Sequence, residues 1–137
     1  MTVIVCVDDK LGMAFGHRRQ SADAQLRRRI LEYCKGRPLW VNPYTAKQFE
    51  DESGNIVVDP DFLEKAGDQD YCFVETEDLL PWQNISALVL IRWNRTYPAD
   101  TFLKIPGNIS DWNISVIDEF PGTSHKRITM ELWRKKA

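Results

Sequence analysis

The chain reads as an α/β protein: a mixed central sheet with flanking helices that ends in a C-terminal antiparallel hairpin. Three observations predict this. Short β-branched runs alternate with a helical pattern in the N-terminal third, as strand–helix–strand units do. Ala87–Trp93 (ALVLIRW) is a further, almost wholly apolar run of strand length. Trp112, Ile114 and Val116 alternate with polar residues, as do Ile128, Met130 and Leu132, and Pro121-Gly122-Thr123-Ser124 lies between the two runs.

The elements follow in order. Thr2–Val7 (TVIVCV) predicts a strand buried on both faces, closed by a turn at Asp8-Asp9-Lys10-Leu11-Gly12. Gly12 is assigned a positive φ there. Ser21 and Asp23 can cap a helix whose apolar stripe is Leu26, Ile30, Leu31 and Cys34 and which stops at Gly36. That stripe leaves Arg27-Arg28-Arg29 largely on the solvent side. Leu39-Trp40-Val41 after Pro38 predicts a second buried strand, and Thr45–Phe49 a short helix. In the middle segment, 50–86, a Ser-Gly turn lies within Glu52–Asn55, with a short apolar run at Ile56–Val58 and a helical turn or two at Pro60–Ala66. Tyr71–Val74 is a strand candidate and Glu77–Trp82 a short helix.

At 137 residues the chain is of the size of one domain, spanning 1–137. Its 18 Lys and Arg against 20 Asp and Glu, with 43% hydrophobic residues, argue against disorder and against a generally basic nucleic-acid surface. No apolar run reaches the roughly 18–20 residues of a membrane span, and the first residues lack the pattern of a secretion signal. A cytoplasmic location is therefore expected, in which the N-x-S/T sequons at Asn84, Asn94, Asn108 and Asn113 carry no glycosylation meaning. Cys6, Cys34 and Cys72 are an odd number without CxxC spacing and read as buried thiols.

With the elements in this order, both ends of the chain resemble dihydrofolate reductase. Val7-Asp8-Asp9-Lys10-Leu11-Gly12-Met13 is similar to that family's V-D-x-x-x-I-G-M turn. Val41-Asn42-Pro43-Tyr44-Thr45 stands where the family has a strand running into G-R-x-T, and Asp111-Trp112 through Trp133 looks like its closing hairpin. The resemblance implies a reductase-like sheet, a mobile loop after the first strand, NADPH as cofactor, and a substrate-binding carboxylate that falls at Asp23. Several departures disfavour the cofactor. No Gly-Gly pair occurs to approach a pyrophosphate. Asn42-Pro43 replaces G-R, removing a cation and a backbone donor. Arg18-Arg19-Gln20 replaces the Pro-Trp of the mobile loop. The chain is also expected to lack about one strand–helix unit, too short for the complete cofactor half.

The sequence is similar as well to a small uncharacterised family of Clostridium-type bacteria sharing Val7-Asp8-Asp9, Arg18-Arg19-Gln20-Ser21, Trp93-Asn94-Arg95 and a Gly-x-Ser-His turn, sometimes labelled ribonuclease Z. That label implies an H-x-H-x-D-H zinc motif, which two histidines cannot supply.

Three polar clusters carry the candidate chemistry: residues 16–21, 93–97 and 122–126. In a reductase-like fold these loops lie along one edge, so His17 and His125 could share a pocket with Arg18, Arg19 and Arg95. Arginine clusters suit phosphate or carboxylate. The candidate catalytic residues are His17, His125 and Asp23. The candidate ligand contacts are Asp8, Leu11, Gly12, Arg18, Arg19, Thr45, Asn94, Arg95 and Ser124, and no metal site is expected. The leading expectation is a protein that binds a small anionic, nucleotide or pterin-like ligand. The alternatives are an NADPH-dependent reductase with an altered cofactor site, a metal-independent phosphodiester- or RNA-processing enzyme using His17 and His125, and a non-catalytic interaction protein.

Overall fold

A computed structural model describes residues 1–136. The elements are β1 (Thr2–Val7), β2 (Gly12–Phe15), β3 (Arg18–Arg19), α1 (Ala24–Tyr33), β4 (Leu39–Val41), α2 (Pro43–Ala46), β5 (Ile56–Val58), α3 (Phe62–Lys65), β6 (Tyr71–Val74), β7 (Ala87–Arg92), β8 (Thr101–Phe102), β9 (Trp112–Phe120) and β10 (Ile128–Lys135). Seven strands form one sheet in the order β5-β4-β6-β1-β7-β10-β9. Pairing is parallel from β5 to β7 and antiparallel from β7 through β10 to β9, so the expected mixed sheet and terminal hairpin are both present. No described helix is long and apolar enough to cross a membrane.

β1 lies at the centre and alternates sides. Val3, Val5 and Val7 face one layer, with Met13, Phe62, Leu88, Leu90, Trp112 and Trp133. Ile4 faces the other, where Leu26 and Ile30 of α1 cover Phe73, Val89, Ile91, Phe120 and Met130. Both α1 residues are fully enclosed, worth about 2 kcal/mol each in transferred apolar surface. Packing also reclaims part of the arginine run. Arg28 is exposed, but Arg29 bonds Asp118 at 2.7 Å and lies 4.4 Å over the Phe120 ring.

Three elements differ from expectation. Residues 77–81 are irregular, and the only helical turn there is 3-10, at Trp82–Asn84, because Pro81 lacks the N–H a helix needs. The helix expected at Thr45–Phe49 begins earlier, at Pro43, capped by the Asn42 side chain, and tightens to 3-10 over Lys47–Phe49. β2, β3 and β8 form a small second sheet from segments too short to show a period.

Gly12 does not carry the positive φ. That conformation belongs to Leu11, at φ 64°, while Gly12 is required by space. A Cβ on Gly12 would come within 2.7 Å of Ala99 Cβ, Asp8 Oδ2 and Gln20 Nε2. Gly12→Ala is therefore expected to lower stability by about 1–3 kcal/mol in urea unfolding, through overpacking of this junction.

Candidate functional site

Asp23 is the N-cap of α1, extended at φ −152°, and its side chain is almost fully buried. Five N–H groups converge on it. Oδ1 accepts from the backbone of Gln25 (3.0 Å), Leu26 (3.2 Å) and Thr123 (3.0 Å). Oδ2 accepts from the backbone of Ser124 (2.9 Å) and from His125 Nδ1 (2.9 Å). Gly122 lies so close that a Cβ there would fall 2.4 Å from Asp23 Oδ2. Burial pushes this carboxyl up, but the bonds from Ser124, His125, Thr123 and Leu26 outweigh it and hold the group well below the usual carboxylate range.

An ionised carboxylate only accepts, so His125 Nδ1 carries a proton and turns Nε2 toward two hydroxyls. Ser21 Oγ and Tyr97 Oη each lie 3.0 Å from Nε2. Trp93 stacks on the imidazole at 4.4 Å between ring centroids, completing its enclosure. A second buried carboxylate, Asp8, organises the neighbouring loops in the same way. It accepts from the backbone of Lys10 and Gly12 (both 2.8 Å) and Tyr97 (3.2 Å), and from Gln20 Nε2 (3.0 Å).

The three polar loops thus meet in part. Ser21 of the first, Tyr97 of the second and His125 of the third share one hydrogen-bond cluster. His17 does not join it: it occupies the exposed turn between β2 and β3 at φ 62°. Arg18 is exposed on β3, and Arg19 turns away to a bidentate pair with Glu75 (2.8 and 3.0 Å) under the Tyr44 ring. Leu11 and Gly12 serve the turn after β1, and Thr45 is fully buried with its hydroxyl unpaired. Asn94, at φ 60°, donates to Arg127 O (3.1 Å) and Thr129 Oγ1 (3.0 Å), stitching the second loop to the hairpin. Ser124 Oγ bridges Ala22 O and Asp23 Oδ2.

Two concavities flank the cluster, with Trp93 in the wall of both. An open basin of about 760 Å³ is lined by Asn94, Arg95, Ser124, His125, Lys126 and Arg127. Arg95, Lys126 and Arg127 make no ion pair among the described residues. A narrow cleft beside α1, lined by Ser21, Asp23, Arg19 and Arg27, has about 10 Å³ of free interior, room for one water. Lys126 and Tyr97 lie in the expected polar clusters 122–126 and 93–97, whereas Arg127 and Arg27 were not among the expected site residues. Arg127 directly follows the third cluster, and a count of cations around the hairpin turn could have found it.

This architecture has a known counterpart. A dihydrofolate reductase from Enterococcus faecalis, described as complexed with NADP(H) and RAB-propyl, superposes with a TM-score of 0.64 at 12% identity, over 99% of this chain and 96% of that chain. The fold is dihydrofolate reductase-like. No protein-family profile and no curated protein matches the sequence. β6 is followed by irregular chain and a single 3-10 turn before β7, with no α-helix between these two strands.

The cofactor side of the reductase-like scaffold is unsuited to a dinucleotide. Where the family's Gly-Gly would follow a central strand, β6 runs into Glu75-Thr76-Glu77-Asp78. Glu77 is bonded to Asn42 at 2.5 Å, so carboxylates line the region a pyrophosphate would need. Among the described residues, no three His, Cys, Asp or Glu side chains gather as metal ligands.

Asp23→Asn is expected to cost about 2–4 kcal/mol at neutral pH in urea unfolding, since it removes a buried charge that five donors were placed to satisfy. Because the folded-state pKa of Asp23 is depressed, its contribution is present above the unfolded value near 4 and fades as pH falls below it. The wild-type advantage over Asp23→Asn should therefore shrink below about pH 4.

Proposed function

We propose that this protein binds a small anionic ligand, a nucleotide or a comparable phosphate or carboxylate compound, in the basin between residues 93–95 and 124–127. The observation that carries this reading is the set of three cations, Arg95, Lys126 and Arg127, that make no ion pair among the described residues and surround an open concavity lined also by Trp93 and His125. Arginine gives bidentate contacts to phosphate or carboxylate. A compact ligand suits the basin better than a nucleic acid: the positive charge is local and the whole chain carries −2. A cytoplasmic site of action is consistent with such a ligand.

The role of Asp23 as a substrate-binding carboxylate is not part of this reading, because its acceptor capacity is taken by the chain itself. Nor is an acid–base pair of His17 and His125, since His17 stands outside the cluster. A reductase using NADPH is disfavoured by the carboxylates after β6.

Thermal-shift titration with inorganic phosphate, nucleoside mono- and triphosphates and folates tests the proposal. At a ligand concentration ten times Kd, about 1.4 kcal/mol of stabilisation is expected, diminished by salt and lost in Arg127→Glu combined with Lys126→Glu. No shift with any of these compounds at low salt would overturn it.

A further inference from the structure

The narrow cleft contains two donors that the chain leaves without acceptors. Arg27 Nε and Gln48 Nε2 are both sealed from solvent, and neither has a hydrogen-bond partner among the described residues. The closest carboxylate oxygen to Arg27, on Glu52, is 3.8 Å from Nε and beyond hydrogen-bond reach. Unpaired buried donors are uncommon in native proteins, and these two are available to an acceptor that enters the cleft, a water or a carbonyl oxygen.

Ser21 lines the same cleft. Its Oγ is 3.0 Å from His125 Nε2, and His125 Nδ1 is 2.9 Å from the buried Asp23 carboxylate. A hydroxyl, an imidazole of defined tautomer and a buried carboxylate in series let an alcohol pass its proton to nitrogen as it attacks a carbonyl. We propose that Ser21 is an acyl-accepting nucleophile and that the cleft takes small carboxylic esters, whose carbonyl oxygen accepts from Arg27 and Gln48. This inference concerns a different concavity from the anion basin, so either can fail without the other.

In the first half-reaction Ser21 Oγ bonds to the acyl carbon, the C–O bond to the alcohol breaks, and the serine proton passes through His125 Nε2 to the departing alkoxide. In the second, water attacks the acyl-serine, gives its proton to His125, and the carboxylic acid leaves as the serine oxygen is reprotonated. Asp23 stays ionised and steadies the imidazolium. Arg27 and Gln48 donate to the oxyanion of each tetrahedral intermediate.

Two other groups near the cleft are poorer nucleophiles. Burial and the nearby Glu75 push the Cys6 thiol well above its ordinary range, so thiolate is scarce. Tyr97 reaches the same imidazole nitrogen but does not line the cleft. The size of the cleft limits the substrate. With room for one water inside, the cleft admits at most the carbonyl end of an acetyl-sized group, and Arg19, held by Glu75, forms a fixed part of its wall.

The test is hydrolysis of p-nitrophenyl acetate, together with fluorophosphonate labelling mapped by peptide mass spectrometry on the intact folded chain. A single adduct on Ser21 is expected, and Ser21→Ala, at a half-exposed position, should keep its melting temperature and lose at least 100-fold in hydrolysis. Gln48→Leu should lower kcat about tenfold or more while Ser21 remains labelled. Absence of an adduct on Ser21, or equal hydrolysis by wild type and Ser21→Ala, would overturn the proposal.

Discussion

The buried carboxylate of Asp23 is the point on which the functional end of this molecule depends. A charge removed from water must be matched by donors, and no single segment could supply enough of them. The five that do come from the first turn of α1 and from the β9–β10 turn, about a hundred residues apart. The helix start and the hairpin turn are consequently one unit, and the tautomer and orientation of His125 follow from it.

Asp8 repeats the device one strand away, tying the end of β1 to Gln20 and to the backbone of Tyr97. Both carboxylates are consumed by architecture. What remains open to a ligand is carried by residues those carboxylates position: His125 and Ser21 through Asp23, Tyr97 through Asp8. A reductase-like scaffold in which the helix-capping carboxylate is internally satisfied has different chemistry available at the same place, because a saturated acceptor cannot also bind substrate. The charge distribution sharpens the contrast. Carboxylates follow β6 at Glu75, Glu77 and Asp78, and cations gather after β7 and before β10 at Arg95, Lys126 and Arg127, so the near-neutral total conceals acidic and basic stretches along the same edge of the sheet.

Five of the seven main-sheet strands were plain in the sequence because burial on one or both faces imposes an apolar run or a period of two, while β5 showed only as the short run Ile56–Val58 and β6 only as a strand candidate at Tyr71–Val74. β2, β3 and β8 were not, since two to four residues cannot display a period and their pairing is decided by where β1 and the loop after β7 deliver them. Gly12 shows a related limit. Its place in a turn suggested a special φ, whereas neighbours from residues 8, 20 and 99 exclude a side chain there, and that crowding exists only once the chain is folded. Of the site, Asp23, His125, Ser124, Asn94 and Arg95 were visible as polar residues in unusual company. His17, Arg18 and Arg19 had the same appearance but are directed elsewhere by a turn and by Glu75.

The order of hydrophobic periods and turn residues by itself determined a mixed α/β sheet and its closing hairpin, because those depend on local burial patterns written along the chain. Which polar residues meet was decided only by tertiary structure. Ser21, Tyr97, Asp23 and His125 lie on three separate loops, and their convergence depends on strand order and on two buried charges seeking donors. Pairings across a hundred residues leave no period for the sequence to show.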